Sequence, residues 1–449
     1  MHNSKRRQWL LEERVYRYRR KRKHQKNIGV VASPSFDAAG SVRSYYTKLI
    51  QQLNSSNYIC KDYARRQIYV PENFSFKQNY DETIVFFKQL ISSYFLYLGS
   101  IIVNFEKCKT SSIAAFSILG VILANIEDVK NKYNFLKHTG CRKNVKIVRS
   151  LKDVKTNKYL HAFLNVQLPE DQNDGSHFLK LPFQNGKQRN YKENPKTKVS
   201  SVVVDFVNKS TEEAGAQLKL EGRRAIEHLM GEVLGTAEDH SAPNSYWYVD
   251  AISFVEKQDD IEVVDLNLTI MNVGLSMYEG FESTKVENAE NYSKCEKLYN
   301  LHKSQFTLFN KFERESLFTM YMLNDGISRL KYEDESRGNG TMKFLDAFIT
   351  IGSFGKTDKR FKCQLNVISG HTVLTCDNDM HSYKADGLNV LSLNTENDFR
   401  KLPDKSYLAY HKEYFPGTIL ECHIYLNKNY FEKRINSSSN VDDKINQNA

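Results

Sequence analysis

The strongest constraint on the fold is a change of hydrophobic period in the second half of the chain. Apolar residues recur at helical spacing from Ala225 to His240, so one face of that segment must be buried. Three strand-like runs follow it, at Val263–Ile270, Cys363–Ser369 and Thr418–Leu426. The helix can bury its apolar face against those strands. The sequence therefore predicts an α/β (α+β) domain in this half.

The first half of the chain has a mixed α/β pattern of its own. Short runs rich in Ile and Val predict strands at Gln67–Val70, Ser100–Phe105 and Asn144–Val148. Helical stretches, Asp81–Tyr97 and Ser112–Ile126, lie between them. At 449 residues the chain is long enough for two or three domains.

Loop-forming residues mark the boundary between the halves. Pro169, Gly175, Gly186 and Pro195 fall within about thirty residues, which predicts a loop-rich connector. The predicted division in chain order is a basic segment, an α/β domain, a connector, a second α/β domain and a disordered tail, at residues 1–26, 27–168, 169–200, 201–430 and 431–449.

Composition excludes several classes of protein. The longest nearly uncharged apolar run, Ser112–Asn125, is shorter than the roughly 20 residues of a membrane-spanning helix. The N-terminus lacks the apolar stretch of a secretory signal. Seven scattered cysteines without a C-x-x-C pair argue against a disulfide framework and a zinc site. We expect a cytoplasmic protein without a membrane partner.

The positive charge is concentrated at the N-terminus. Residues 1–26 contain eleven Lys and Arg against Glu12 and Glu13, a local net charge of +9 out of +11 for the whole chain. Trp9 and Tyr16 lie among those charges. Such a segment can bind nucleic acid, a protein partner or a second copy of the chain, or it can be a solvated basic helix. The sequence leaves these alternatives open.

Chemistry-bearing residues lie in three places of the second half. On the helix, Glu232 and Thr236 share one flank, and a carboxylate one turn before a hydroxyl can position a water and a metal ion. The strand ending near Ile270 leads into Asn272, Gly274 and Ser276, a small turn that lets a ligand approach the backbone. The third place is a glycine-rich loop that opens a helix predicted at Met342–Ile351, and such a loop favours phosphate: it contains Arg337, Gly338, Asn339, Gly340 and Thr341.

The order of these features resembles the gyrase/histidine-kinase/MutL (GHKL, Bergerat-fold) ATPase superfamily over about residues 200–428. The segment Glu232–Ser241 is similar to that family's N box, and Asn272–Ser276 resembles the D-x-G-x-G box that holds adenine. Arg337–Thr341 resembles the G-x-G-L box under the phosphates, and Phe415-Pro-Gly-Thr418 resembles the G-T strand that closes the site. The resemblance implies a GHKL α/β sandwich that binds ATP or ADP with Mg²⁺.

The resemblance also implies a role for each matching position. Glu232 would be the general base that orients the attacking water, and Thr236 stands where the family has its Mg²⁺-binding Asn. Asn272 would make the adenine contact normally made by Asp. Gly274, Gly338 and Gly340 would give backbone room and phosphate contacts, with Thr418 behind the base. Because Thr236 and Asn272 depart from the family's pattern, ATP binding is a firmer expectation than ATP hydrolysis.

Two further comparisons concern neighbouring regions. Residues 281–336 have helical apolar positions, and in a GHKL domain this interval is the helical lid over the nucleotide. In the first half, Ile101–Phe105 followed by Lys109–Ser112 resembles the strand–loop–helix of STAS-like domains. Signalling members of that family carry a phosphorylated Ser in a D-S-S/T-G loop, where this chain has Thr110 and Ile113 in place of Asp and Gly.

Three functions remain open from the sequence. The first is an ATP-binding, slowly ATP-hydrolysing conformational switch of a bacterial type, in signalling or phage defence by analogy. The second is a nucleotide-locked or catalytically weak scaffold that binds nucleic acid or a protein partner through residues 1–26. The third is a serine kinase of a STAS-type partner. A histidine kinase is not expected, because no helical hairpin with a phosphoacceptor His precedes the ATPase-like region.

Overall fold

The structure is a computed structural model, and it divides the chain into two compact units. Unit 1 contains Met1–Gln172 and His411–Pro416, and unit 2 contains Asn173–Tyr410 and Gly417–Ala449. The residues that it describes are 58, 61–96, 101–133, 145–167, 178–181, 184–187, 195–213, 217–218, 220–239, 246–258, 261–324, 327, 359–377, 379–380, 382–385 and 388–427. Within this part, no helix has the length and apolar content needed to cross a membrane.

Unit 1 is built on a parallel sheet, as its alternating strands and helices predict. Its strands are β1 (Gln67–Tyr69), β2 (Asn73–Phe74), β3 (Ile101–Asn104), β4 (Thr110–Ser111) and β5 (Val145–Val148). Its helices are α1 (Tyr80–Leu96), α2 (Ile113–Tyr133) and α3 (Val154–Leu164). The strand order is β1-β3-β5 with both pairs parallel, while β2 pairs with β4. The mixed α/β prediction is confirmed for this unit.

Aromatic rings fill the core of unit 1. Phe74 is fully buried, and its ring lies 5.2 Å from that of Phe86 and 5.6 Å from that of Phe116, both edge-on. Phe116 on α2 stacks on Phe105, which follows β3, and on Tyr159 of α3. These contacts hold the helices against the sheet, because aromatic pairs add to the free energy of burying each ring.

A short segment from late in the sequence, His411–Pro416, also belongs to unit 1. His411 stacks on Tyr80 with ring centroids 4.6 Å apart, and the backbone N–H of Glu413 donates to Asp81 Oδ1 at 2.8 Å. Lys88 on α1 forms an ion pair with Glu413, and both side chains are mostly buried. The segment is therefore fixed on α1 by polar contacts as well as by ring stacking.

Unit 2 has a six-stranded sheet in the order β10-β13-β9-β8-β6, with β7 also paired to β8. The strands are β6 (Phe178–Lys180), β7 (Gln184–Lys187), β8 (Tyr246–Gln258), β9 (Ile261–Val273), β10 (Gln364–Asp377), a small hairpin of β11 (Tyr383–Ala385) and β12 (Leu388–Val390), and β13 (Leu408–Leu426). The helices are α4 (Pro195–Glu213), α5 (Leu220–Asp239), α6 (Met277–Glu282), α7 (Ala289–Lys303) and α8 (Arg314–Tyr321).

Helices α4 and α5 cover one face of this sheet. Alternate residues of β9, such as Leu266 and Ile270, share a buried core with Val203 of α4 and with Leu229 and Leu234 of α5. Residues two apart on a strand point to the same face, so this alternation defines the helix-facing side of β9. The strand expected at Val263–Ile270 is confirmed and is longer than predicted.

The connector predicted over residues 169–200 is corrected by the structure. That interval contains β6, β7 and the first residues of α4, and both strands pair antiparallel with β8. The sequence Gln184-Asn-Gly-Lys187 has no apolar alternation, and its Asn and Gly favour a turn. Pairing along β8 overrides that local preference, and unit 2 begins at Asn173 instead of residue 201.

Candidate functional site

The helix expected at residues 225–240 is α5, which spans Leu220–Asp239. Leu229 and Leu234 bury one side of it, while Glu232 is half-buried on an adjoining side. Thr236 lies in its last turn, but the Thr236 side chain is outside the described part of the structure. The helix therefore ends with the two predicted catalytic-site positions, one turn apart.

Asn272 connects the end of α5 to two strands. Its side-chain amide donates to the backbone oxygen of Ala237 at 3.4 Å, and its Oδ1 accepts the backbone N–H of Thr418 at 3.0 Å. Asn272 and Thr418 are also register partners on β9 and β13. Only 3% of the Asn272 surface is exposed. Three separate segments of the sequence thus meet at one buried amide.

The polar cluster continues from Thr418 to β10 and α6. Thr418 Oγ1 is 2.9 Å from Ser369 Oγ, and Ser369 Oγ accepts the backbone N–H of Met277 at 2.8 Å. Ser276 caps α6, because its hydroxyl accepts the Glu279 N–H and its own N–H donates to the Glu279 carboxylate. Gly274 is buried between Asn272 and this cap, with φ of 150°. The turn after β9 is therefore held by hydrogen bonds on both sides.

A carboxylate borders this cluster. Glu315 on α8 accepts the backbone N–H of His371 at 2.7 Å and is half-buried. A Cβ atom added at Gly370 would lie 2.3 Å from Glu315 Oε1 and 3.2 Å from Ser276 Oγ, so the carboxylate is close to the cap. Burial raises the pKa of Glu315 above its ordinary value. The border of the site thus contains a group that gains a proton more readily than an exposed Glu.

The segment expected as a helical lid is partly described. Helices α7 and α8 confirm the helical prediction, and Phe318 and Tyr321 of α8 are buried in the core of unit 2. Arg314 joins the two helices by donating to Glu296 at 3.0 Å and by lying 4.3 Å over the Phe318 ring. The hydrogen bonds from Arg314 lower the pKa of Glu296. A role of this segment as a lid remains a prediction.

Several predicted residues lie outside the described part of the chain. They are the phosphate-loop residues Arg337, Gly338, Asn339, Gly340 and Thr341, the basic segment 1–26 and the tail 431–449.

Metal ligands are sparse in the described residues. No group of three or more His, Cys, Asp and Glu side chains there is arranged to hold a metal ion. The opposite face of the sheet does contain buried polar residues, in which Asp265 Oδ1 is 2.7 Å from His423 Nε2 and accepts from Asn267 at 2.7 Å. This cluster is satisfied internally.

The loop expected to resemble a STAS phosphorylation loop lies at the start of α2. Ser111 Oγ is 2.8 Å from Thr156 Oγ1, and Thr156 Oγ1 in turn donates to Asp153 Oδ2 at 2.5 Å. Asp153 is the N-cap of α3 and also accepts the N–H of Lys155. The Ser111 hydroxyl is therefore engaged in a chain of hydrogen bonds that ends at a helix cap.

The sequence interpretation did not identify strand β8 or its residue Trp247. Trp247 is the register partner of Asn272 and is fully buried. The available signal was the apolar run Trp247–Val255, broken only by Asp250 and Ser253, which is typical of a strand buried on both faces. No protein-family model, curated protein or solved structure matches the chain.

Proposed function

We propose that unit 2 binds an adenine nucleotide in the manner of a GHKL ATPase, between the end of α5 and the ends of β9 and β13. One observation carries the proposal: the buried amide of Asn272 bonds both Ala237, next to Thr236, and Thr418. These positions belong to three motifs that are separated by 35 and 146 residues in the chain. Their meeting at one point supports the resemblance, because unrelated turns have no reason to converge.

The chemistry of the cluster fits a nucleotide base better than a metal ion. The amide of Asn272 and the hydroxyls of Thr418 and Ser369 are neutral donors and acceptors. Neutral groups of this kind orient the edge of a base without charge. The phosphates would extend toward Arg337–Thr341, where backbone N–H groups and the Arg337 guanidinium suit negative charge.

Hydrolysis is the weaker part of the proposal. Glu232 lies four residues, about one helical turn, before Thr236, so the two positions share one flank of α5. A threonine at position 236 offers one oxygen to Mg²⁺ and no amide. We therefore propose slow turnover with Glu232 as the general base, and a nucleotide-dependent conformational switch as the biological role.

A catalytically weak scaffold is the second candidate. Both ends of the Asn272 amide are bonded within the protein, which leaves it less capacity for a base than a carboxylate with free lone pairs. In that case residues 1–26 would provide the function by binding nucleic acid or a protein partner. Deleting 1–26 should then remove the salt-dependent nucleic-acid affinity, whose slope is about −0.9 per neutralised phosphate on duplex DNA.

The test of nucleotide binding is isothermal titration of the full chain with ATP and with ADP, each with Mg²⁺. We expect saturable binding by the wild type and none by Gly340→Asp, which sets a carboxylate against the phosphates. Absence of heat with the wild-type chain at millimolar nucleotide would refute the proposal.

The test of turnover compares two carboxylates of the same helix. We expect Glu232→Gln to bind ATP normally and to lose phosphate release, while Glu227→Gln, at an exposed position on α5, retains both. Equal rates for the two variants would show that Glu232 is not the base.

A further inference from the structure

Trp247 carries a buried hydrogen-bond donor. The residue is fully buried, and within the part of the chain that the structure describes its indole Nε1 has no hydrogen-bond partner. Native proteins leave few buried polar groups unsatisfied, and an unmet donor weighs against the folded state. A phenylalanine would fill most of the same volume without this disadvantage.

The indole lies beside the candidate site. Trp247 on β8 and Asn272 on β9 are directly opposite in the antiparallel register, so their side chains project from the same face with Cβ atoms about 5 Å apart. That face is the one covered by α5, because the Asn272 amide reaches the Ala237 oxygen. Thr418 occupies the next position across, on β13. Three strands thus present Trp247, Asn272 and Thr418 in one row.

The neighbouring polar groups of this row are already engaged. Asn272 Oδ1 accepts from the Thr418 backbone, and the Thr418 hydroxyl is paired with that of Ser369. None of these contacts involves the indole nitrogen. A tryptophan side chain can only donate, so its partner must bring an acceptor.

We propose that Trp247 is a specificity-determining residue that donates its indole N–H to a ring nitrogen of a bound purine base. The inference rests on the proposed nucleotide binding and deepens it, because it names the group on the ligand that is read. Purine rings have unprotonated nitrogens that accept in-plane hydrogen bonds, and the indole N–H can only donate. In the proposed complex, the ring nitrogen of the base accepts the hydrogen bond from the indole N–H.

The experiment compares the wild type, Trp247→Phe and Tyr248→Phe by isothermal titration with ATP and Mg²⁺. We expect Trp247→Phe to raise the Kd by about 5- to 100-fold, because the variant forfeits a hydrogen bond formed only on binding. Tyr248 is the next residue of β8 and projects from the opposite face, so Tyr248→Phe is the matched control and should leave the Kd unchanged. In the absence of nucleotide, Trp247→Phe should unfold at the same urea concentration as the wild type or a higher one.

A set of ligand analogues identifies the acceptor. Each ATP analogue has one ring nitrogen replaced by C–H. We expect one of these analogues to bind the wild type as weakly as ATP binds Trp247→Phe. The same analogue should bind Trp247→Phe no worse than ATP, because the two changes remove the same hydrogen bond. Additive losses for every analogue would overturn the proposal.

A fluorescence measurement keeps the proposal testable even where Trp247→Phe does not fold. The chain has two tryptophans, so Trp9→Phe leaves Trp247 as the single emitter. We expect its emission to change on saturation with ATP. Two outcomes would overturn the role of Trp247 and leave the proposed function standing. In the first, the wild type binds ATP and Trp247→Phe binds it with the same Kd. In the second, the wild type binds ATP and the emission of Trp247 does not change. Absence of binding by the wild type would overturn both, so the two failures are distinguishable.

Discussion

Gly417 provides the sharpest test of the arrangement around Asn272. It lies on β13 directly before Thr418 and pairs with Val273 of β9. Its φ is +131°, a backbone conformation that residues with a Cβ rarely adopt. A Cβ atom built there would lie 2.2 Å from the backbone oxygen of Asn272 and 3.0 Å from the Cα of Val273. Gly417→Ala therefore acts on the same junction that unites the candidate motifs.

Two contributions set the expected size of the effect. Holding a non-glycine residue in such a conformation costs of order 1–3 kcal/mol. The overlap with the Asn272 backbone is with a strand and not with a flexible side-chain end, so the strands must separate locally. Separation weakens the hydrogen bond from the Thr418 N–H to Asn272, about 0.5–1.5 kcal/mol. We expect unit 2 to lose about 2–4 kcal/mol of its free energy of unfolding.

The assay is urea denaturation followed by Trp247 emission in a Trp9→Phe background, which reports on unit 2. Gly231→Ala on α5 is the matched control, because a Cβ there meets nothing within 4 Å. It should stabilise unit 2 by about 0.5–1 kcal/mol, since alanine favours helix over glycine. A Gly417→Ala variant as stable as the wild type, with Gly231→Ala behaving as expected, would refute the close approach of β13 to β9.

Three further predictions concern buried groups. His302 lies between the Tyr321 hydroxyl and the Phe399 backbone oxygen, and burial lowers its pKa. Its contribution to stability is present above the unfolded pKa of about 6.5 and is lost as the pH falls through the lower folded pKa. His302→Gln should therefore flatten the fall in the denaturation midpoint between about pH 7 and pH 5. Burial raises the pKa of Glu315, so its contribution to the free energy of unfolding is lost as the pH rises through the folded pKa. Glu315→Gln should raise the denaturation midpoint at neutral pH and have little effect near about pH 4. An equal effect at both pH values would contradict this. Four phenylalanine rings contact Phe74. Phe74→Ala should destabilise unit 1 by about 3–5 kcal/mol, measured as unfolding followed by near-UV circular dichroism. A loss below about 1 kcal/mol would show that this core can collapse around the gap.

The sequence predicts the elements whose local pattern agrees with their burial. The strand predicted at Gln67–Val70 is β1 at Gln67–Tyr69, and the helix predicted at Asp81–Tyr97 is α1 at Tyr80–Leu96. Strand β3, predicted at Ser100–Phe105, is a short, mostly buried apolar run between polar residues, which is the pattern of a parallel strand. Prediction is poorer where pairing decides the structure. Strand β13 begins at Leu408, ten residues before the predicted start, although Lys412 and Glu413 interrupt its apolar pattern.

The candidate site divides in the same way. The resemblance implies that Asn272 and Thr418 border the same base, and the register of β9 and β13 places the two residues directly opposite. The sequence does not predict that the amide of Asn272 reaches Ala237, because this bond depends on how α5 packs on the sheet. The sequence also does not identify Trp247, because its relevance depends on its register with Asn272 and on an indole nitrogen that lacks an acceptor among the described residues.

The asparagine at position 272 follows from these surroundings. Its Oδ1 accepts from the Thr418 backbone, and its amide nitrogen donates to the Ala237 oxygen. An ionised aspartate could accept the first bond but would place a buried negative charge against the Ala237 carbonyl. The residue that joins the end of α5 to β9 and β13 must therefore both donate and accept. Trp247 lies one strand away, and its indole N–H has no acceptor among the described residues, so we propose that β8 as well as β9 would contact the base in the proposed nucleotide site.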